Sequence, residues 1–123
     1  MSTLTFPSFY RLTRRPQFCR CYERGRRFFS ANFVLFVFVH EHQNTAWRLG
    51  LAVSKKIGNA VARNRTKRLI REFFRLHQHH ISLSADIVVV PKRGLNVRNL
   101  HLSQVQEELT VLLQKISTLA SCL

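Results

Sequence analysis

The chain has 123 residues, 46% of them hydrophobic, which suffices for one domain with a buried core and excludes a disordered basic tail. Lys and Arg total 20 against 6 Asp and Glu, giving a net charge of +14. This imbalance predicts a polyanionic partner, either a nucleic acid or an anionic membrane surface.

The N-terminal part predicts a helix followed by two strands. Residues 1–10 show no clear period, and both packing on the domain and mobility are compatible with them. Pro16 suits the first turn of a helix, and Gly25 is a plausible C-cap at its end. Residues 26–30 form either a short strand or a turn. Residues 32–40 are apolar on both faces, which predicts a strand that is covered on both faces.

The next segment predicts a third strand with two different faces. Residues 41–45 are polar and indicate a hairpin loop, and the strand spans residues 46–54. Its bulky face should point to the core and consists of Trp47, Leu49, Leu51 and Val53. The other face holds Arg48, Gly50 and Ala52, and small residues beside an arginine let a large ligand approach the sheet closely.

The most basic segment follows. A loop at residues 54–58 carries Lys55 and Lys56, and Asn59 is a candidate N-cap for a helix that fades through residues 77–80. At helical spacing, one face of this helix is formed by Ala62, Thr66, Leu69, Ile70 and Phe73. The opposite face is formed by Asn64, Lys67, Arg68, Arg71 and Arg75, flanked by Arg63 and Arg65. Like charges one turn apart destabilise a helix, so the pattern favours an anionic partner over a merely solvated face.

The C-terminal part predicts a fourth strand and a last helix. Residues 85–90 form a compact buried strand, which Pro91 stops. Ser103 and Gln106 suggest a capping box, and the last helix runs to about Ile116. The predicted order is α-β-β-β-α-β-α in a single α+β domain, and the third and fourth strands could form a parallel βαβ unit across the basic helix.

The residues that could carry chemistry do not assemble into a predicted catalytic or metal site. The 3 cysteines are an odd number without a secretory context, which indicates reduced thiols. His77, His79 and His80 suit a polar helix end better than a zinc site. The 6 acidic residues are scattered over different elements, whereas a protein nuclease would cluster carboxylates around metal ions. We therefore expect no catalytic residue and no metal in the protein itself.

The sequence also lacks the signals of membrane or secreted proteins. No apolar run approaches the about 20 residues that span a bilayer. The N-terminus has no charged region followed by an apolar segment and a cleavage site. We expect a cytoplasmic protein with no membrane partner.

The run Lys-Lys-x-Gly-x-Ala-Val-x-Arg-Asn-x-x-Lys-Arg at residues 55–68 is preceded by Arg-Leu-Gly-Leu-Ala-Val-Ser at residues 48–54. Together they closely resemble the signature of the bacterial ribonuclease P protein family, and a weaker resemblance covers about residues 11–116. The resemblance implies a subunit of the ribonucleoprotein that removes the 5′ leader of precursor tRNA. It implies that the RNA subunit holds the active site and the Mg²⁺ ions, and that the protein binds no cofactor tightly. It also implies a central mixed sheet like that of a ribosomal protein domain, with a rare left-handed βαβ crossover.

The resemblance assigns two groups of binding residues. The RNA-subunit site comprises Lys55, Lys56, Arg63, Asn64, Arg65, Lys67, Arg68 and Arg71. The leader site comprises Phe18, Tyr22, Phe36 and Arg48. The spacing of Phe18 and Tyr22 alone favours core packing, and the resemblance reverses that interpretation in favour of base stacking. We expect residues 1–123 to form one RNA-binding domain with a core of about residues 11–116 and flexible ends, bound one-to-one to the ribonuclease P RNA. The alternative is a generic basic RNA-binding or ribosomal protein without a processing role.

Overall fold

The structure is a computed structural model that describes residues 11–12, 14–40, 47–81 and 84–121. The helices and strands are, in order, α1 (Arg15–Arg24), β1 (Arg26–Phe29), β2 (Phe33–Val39), β3 (Arg48–Leu51), α2 (Ala60–Leu76), β4 (Ala85–Pro91) and α3 (Leu102–Ser121). Short 3₁₀ turns occur at Lys55–Ile57, Gln78–His80 and Val97–Asn99. The predicted α+β order is confirmed, and residues 26–30 are resolved in favour of a strand.

The four strands form one mixed sheet in the order β1-β2-β4-β3. β1 and β4 pair antiparallel with β2, whereas β3 pairs parallel with β4. The predicted parallel β3-α2-β4 unit is confirmed, and the left-handedness of its crossover stays a prediction. The predicted hairpin between the second and third strands is wrong, because β4 lies between them. β4 is buried on both faces and therefore takes a central place in the sheet. Residues 41–45 lie outside the described residues.

One face of the sheet packs against α2 and α3 and forms the main core. The strands contribute Phe33, Leu35, Val37, Leu49, Ile87 and Val89. The helices contribute Ile70, Phe73, Phe74, Val105, Leu109, Leu112 and Ile116. Trp47 is buried, as predicted, and its indole Nε1 donates to the Gln78 carbonyl oxygen at 3.3 Å. The helical period of 3.6 residues also predicted the apolar face of α2 correctly, since Ile70 and Phe73 are buried.

The other face of the sheet is covered by α1. Cys21, Val88 and Leu12 are buried there, and half-buried apolar side chains surround them: Phe18, Phe36, Phe38, Ala52 and Val90. Both faces of β2 are covered, as its sequence predicts.

Two predicted element ends are corrected. The third strand is shorter than residues 46–54, although the Ala52 N–H still donates to the Val89 carbonyl at 3.1 Å. The last helix begins at Leu102, so Ser103 is inside its first turn and is not the N-cap of a capping box. The His101 carbonyl accepts from the N–H groups of Gln104 and Val105, at 3.1 Å in each case.

Within the described ranges, no helix has the length and apolarity needed to cross a bilayer.

Candidate nucleic-acid interface

The start of α2 is fixed by local hydrogen bonds. Asn59 is the N-cap, as predicted, and its Oδ1 accepts from the Ala62 N–H at 2.9 Å. Gly58 has a φ of +156°, and a Cβ there would lie 2.9 Å from the Ala62 Cβ, so a larger residue would be strained. The preceding 3₁₀ turn, Lys55–Ile57, leaves both of its lysines exposed. The ammonium groups thus lie just ahead of a helix N-terminus, where the dipole and the free N–H groups also attract anions.

Along α2 the predicted basic face is in place, with different degrees of exposure. The exposed members are Asn64, Arg68 and Arg71, and the half-buried members are Arg63, Arg65 and Lys67. Glu72, the acid of this helix, forms an ion pair with Arg75, and the Arg75 Nε donates to it at 3.1 Å. Among the described residues, no acid pairs with the other cations of this face, which are Arg63, Arg65, Lys67, Arg68 and Arg71. The face therefore carries a concentrated positive charge.

Arg65 also has a structural contact that helical spacing alone does not predict. Its Nη1 donates to the Val97 carbonyl oxygen at 2.6 Å, which ties α2 to the turn ahead of α3. The Nε of Arg63 is buried without a hydrogen-bond partner in the described structure. The side chains of Arg63 and Arg65 are thus partly covered by the protein, whereas those of Arg68 and Arg71 are exposed.

The aromatic residues of the predicted leader site lie together at the face under α1. Tyr22 is 41% exposed, and its ring meets the half-buried Phe36 ring edge-on, with centroids 4.9 Å apart. Phe18 is half-buried above Gly50, where an added Cβ would lie 2.6 Å from the Phe18 ring. The prediction that Gly50 leaves room for a ligand is therefore wrong. The missing side chain at Gly50 makes room for a ring of α1.

Arg48 belongs to a buried ionic cluster centred on Asp86. Asp86 is fully buried, and the Arg48 guanidinium donates to both of its carboxylate oxygens, at 2.8 and 3.0 Å. Arg20 Nη2 donates at 3.0 Å, and His40 Nε2 lies 2.7 Å from the same carboxylate. The Arg20 guanidinium also lies 4.7 Å from the centre of the Phe38 ring. The cluster holds two partly exposed guanidinium groups at fixed positions beside the aromatic site.

Sequence reasoning missed Arg20, His40 and Asp86 as members of this site. The available signal was Asp86 itself, an acid within an otherwise apolar strand, which requires a basic partner if it is buried. Burial by itself would raise the pKa of Asp86. The hydrogen bonds from Arg48, His40 and Arg20 outweigh burial and hold that pKa below its ordinary value.

A cavity of about 270 Å³ lies between Phe18 of the predicted leader site and the basic face of α2. Phe18 and Leu12 line it on the side of α1, and Lys67 and Arg71 line it on the side of α2, with Arg11, Leu49 and Leu51 between them. Leu12 is held in place because its N–H donates to the Leu49 carbonyl at 2.8 Å. One ring of the aromatic site and two cations of the basic face therefore line the same cavity.

The described residues contain no group of three His, Cys, Asp or Glu side chains that could hold a metal ion. Cys19 and Cys21 are free thiols, and Cys122 lies outside the described residues. Burial, together with the nearby Asp86 charge, raises the pKa of Cys21 to about 11, so this thiol stays protonated at neutral pH. His77 stacks on Phe73, with ring centroids 4.3 Å apart, at the end of α2.

Comparison with known proteins gives a consistent result. The family model described as Ribonuclease P matches residues 6–117. The chain is 51% identical over 106 residues to the ribonuclease P protein component of Oleidesulfovibrio alaskensis, covering 86% of this chain and 85% of that protein. It is similar to the solved RNase P protein of Staphylococcus aureus, with a TM-score of 0.75 and 36% identity over 88% of this chain and 94% of that one. It is also similar to the RNase P protein of Thermotoga maritima, with a TM-score of 0.77 and 32% identity over 85% of this chain and 96% of that one.

Proposed function

The chain belongs to the ribonuclease P protein family, and on that premise we propose that it binds both the ribonuclease P RNA and the 5′ leader of precursor tRNA. It is the protein subunit of an endoribonuclease of tRNA processing. The observation that carries the proposal is the concentration of cations on α2, of which Arg75 alone has an acid partner among the described residues, beside a cavity that Phe18 also lines.

We assign the RNA subunit to the basic face of α2 and to the lysines ahead of it. The residues are Lys55, Lys56, Arg63, Asn64, Arg65, Lys67, Arg68 and Arg71. Each phosphate that such a side chain neutralises releases counterions, so binding weakens steeply with salt. Arg68 and Arg71 are exposed and should contribute through phosphate contacts alone. Arg65 should contribute to both binding and folding, because its guanidinium already bonds to Val97.

We assign the precursor leader to the aromatic site under α1. Tyr22 offers the most exposed ring of the three, and Phe36 and Phe18 are half-buried. Arg48 is held by Asp86 and leaves 29% of its side chain exposed to meet a phosphate. Stacking on rings in a positive groove tolerates sequence variation, which suits a factor that handles many precursors.

We assign catalysis and the bound Mg²⁺ to the RNA subunit, with no tightly bound cofactor in the protein. In support, three of the carboxylates are engaged by protein groups: Asp86 by three basic side chains, Glu72 by Arg75, and Glu108 by Ser30 and Asn32. We further propose a cytoplasmic complex of one protein with one RNA, without a membrane partner.

Reconstitution tests the proposal. The purified protein is mixed with ribonuclease P RNA at low Mg²⁺, and precursor tRNA cleavage is measured. We expect the protein to restore cleavage and to be inactive alone after rigorous RNA removal. Arg68→Ala should lower the log–log salt slope of RNA binding by about 0.7 to 0.9, whereas Lys115→Ala on the exposed surface of α3 should leave it unchanged.

The alternative function, a generic basic RNA-binding or ribosomal protein, makes a different prediction. Pull-down would then recover mixed or ribosomal RNA, and the protein would fail to restore cleavage. Equal salt slopes for wild type and Arg68→Ala would show that the basic face is not the RNA contact. Cleavage by the RNA-free protein would overturn the assignment of catalysis to RNA.

A further inference from the structure

Phe29 is the most exposed aromatic side chain in the described part of the chain, at 57%. It lies at the end of β1, an edge strand. A single exposed apolar residue is ordinary on a protein surface. Two further observations set this ring apart from an ordinary exposed residue: its position on the sheet and the positive charge around it.

The strand register places Phe29 on the same face as the leader site. Phe28 packs against the main core, so its neighbour Phe29 points to the opposite face of the sheet, which α1 covers. Arg27 pairs with Phe36 and Phe29 pairs with Val34, so Phe29 is the diagonal neighbour of Phe36 across the two strands. Diagonal neighbours on one face of a sheet are about 7–8 Å apart, within the reach of neighbouring nucleotides in an extended single strand. Phe29 thus extends the row of rings that begins with Tyr22 and Phe36.

The surroundings of Phe29 are positively charged. The Lys92 ammonium lies over the ring, 5.7 Å from its centre, and Arg26, Arg27 and Arg93 are exposed nearby in the chain. A ring with a cation beside it offers both a stacking surface for a base and a partner for the adjoining phosphate. The charge is complementary to RNA and would repel a basic partner.

The backbone that carries both groups is held in place. Glu108 accepts from the Ser30 hydroxyl at 2.6 Å and from the Asn32 backbone and side-chain N–H groups at 2.8 and 2.6 Å. Burial alone would raise the pKa of Glu108, but these hydrogen bonds lower it, so this carboxylate is occupied in fixing the turn. The Lys92 N–H donates to the Asn32 carbonyl at 2.8 Å, which ties the backbone of Lys92 to the same turn.

We propose that Phe29 and Lys92 form a further nucleotide subsite for single-stranded RNA, in which a base stacks on the ring and the ammonium binds a phosphate. The subsite rests on the proposed function, and it takes a leader nucleotide beyond those bound at Tyr22 and Phe36. It tolerates any base, since every base has a stacking face. Its consequence is a preference for precursors whose leaders are long enough to reach β1.

The test uses holoenzyme assembled with wild type, Phe29→Ala or Phe29→Trp, and precursor tRNAs with leaders of increasing length. Phe29→Ala should weaken binding about fivefold for long leaders and leave short leaders and mature tRNA unchanged. Phe29→Trp should retain the long-leader affinity. Val111→Ala, which shortens another exposed apolar side chain on α3, is the matched control and should change nothing. A precursor with an abasic nucleotide at one distal leader position should bind the wild-type holoenzyme more weakly than the intact precursor does. The same abasic nucleotide should not change the affinity of holoenzyme assembled with Phe29→Ala.

The outcomes separate the subsite from the proposed function. If wild-type holoenzyme binds precursor and mature tRNA equally, both are overturned. If leader dependence is present and Phe29→Ala preserves it at every length, the subsite alone is wrong. A loss that is equal for all substrates, with a lower Tm, would show that the ring has a packing role. A loss of self-association with unchanged leader affinity would show that the ring contacts a second copy of the chain.

Discussion

Replacing Asp86 with asparagine should destabilise the free protein strongly. The fully buried carboxylate accepts hydrogen bonds from Arg48 and Arg20 and contacts His40. Asp86→Asn preserves the size of the side chain, but it turns one acceptor into an NH₂ donor that faces guanidinium donors. Removing one partner of a buried ion pair costs about 3–5 kcal/mol. Because the side chains of Arg20 and Arg48 keep 39% and 29% exposure, their charges remain partly solvated, and we expect about 3 kcal/mol.

The destabilisation should depend on pH in a defined direction. Burial favours the protonated form of Asp86, but the hydrogen bonds from its three basic partners dominate, so its pKa in the folded protein is below the ordinary 3.8. A depressed pKa contributes stability that is fully present above the ordinary value and is lost as the pH falls below it. The groups that face Asp86 are the guanidinium groups of Arg20 and Arg48, the His40 ring and the Cys21 thiol, which is protonated in this range. The contribution of Asp86 to the stability difference between wild type and variant should therefore be present at pH 5 and shrink as the pH falls below about 4.

Urea unfolding of the free protein at several pH values measures this difference. Glu107→Gln, which removes a carboxylate from the exposed surface of α3, is the matched control and should show a small difference at every pH. A loss for Asp86→Asn below about 1 kcal/mol at neutral pH would refute the argument that the buried ion pairs stabilise the fold. A loss that stays constant down to about pH 3 would refute the argument that the pKa of Asp86 is lowered in the folded protein.

Three further predictions test the basic face of α2 and the aromatic site under α1. Arg65→Ala should lower the RNA affinity and should also lower the free energy of unfolding by about 1 kcal/mol, whereas Arg68→Ala should lower the RNA affinity alone. Equal stability of the two variants would contradict a structural role for the hydrogen bond from Arg65 to the turn ahead of α3. Phe36→Ala and Tyr22→Ala should each weaken binding of precursor tRNA by about 1–3 kcal/mol and leave mature tRNA nearly unchanged. The Tm should fall more for the half-buried Phe36, and equal losses for both tRNAs would identify the rings as core. Gly50→Ala should cost about 1–3 kcal/mol in thermal unfolding, because its Cβ would meet the ring packed above it, and an unchanged Tm would show that this ring moves freely.

Local sequence patterns predicted the helices and strands of the fold, but they did not predict which strands lie beside each other in the sheet. The alternation in residues 46–54 and the helical period in α2 identified core faces that the structure confirms for Trp47, Leu49 and Ile70. The polar loop after β2 suggested a hairpin, but loop composition does not determine which strand lies beside which. β4 is apolar on both faces and pairs with β2 on one side and β3 on the other, a preference that could have been weighed against the hairpin.

The candidate site divides in the same way. The basic face of α2 depends on the spacing of residues within one helix, so the sequence alone could place it. The role of Gly50 depends on Phe18, and the role of Asp86 depends on Arg20, and each of these partners lies on a distant segment of the chain. A glycine in a strand indicates that something approaches closely, and it does not reveal whether that neighbour is a ligand or another part of the protein.

The central position of β4 has a consequence for synthesis on the ribosome. Phe33 pairs with Pro91 and Val39 pairs with Ala85, so the middle of the sheet closes only when the chain has been made as far as Pro91. Until then the nascent chain has the α1 and β1–β2 segments and the basic helix, but it lacks the strand that joins β2 to β3. Contacts between such distant segments form slowly, because a long loop must be closed first. The newly made protein therefore exposes both its apolar strands and its cationic helix to the cell before it has a core, and it completes its fold only late in translation.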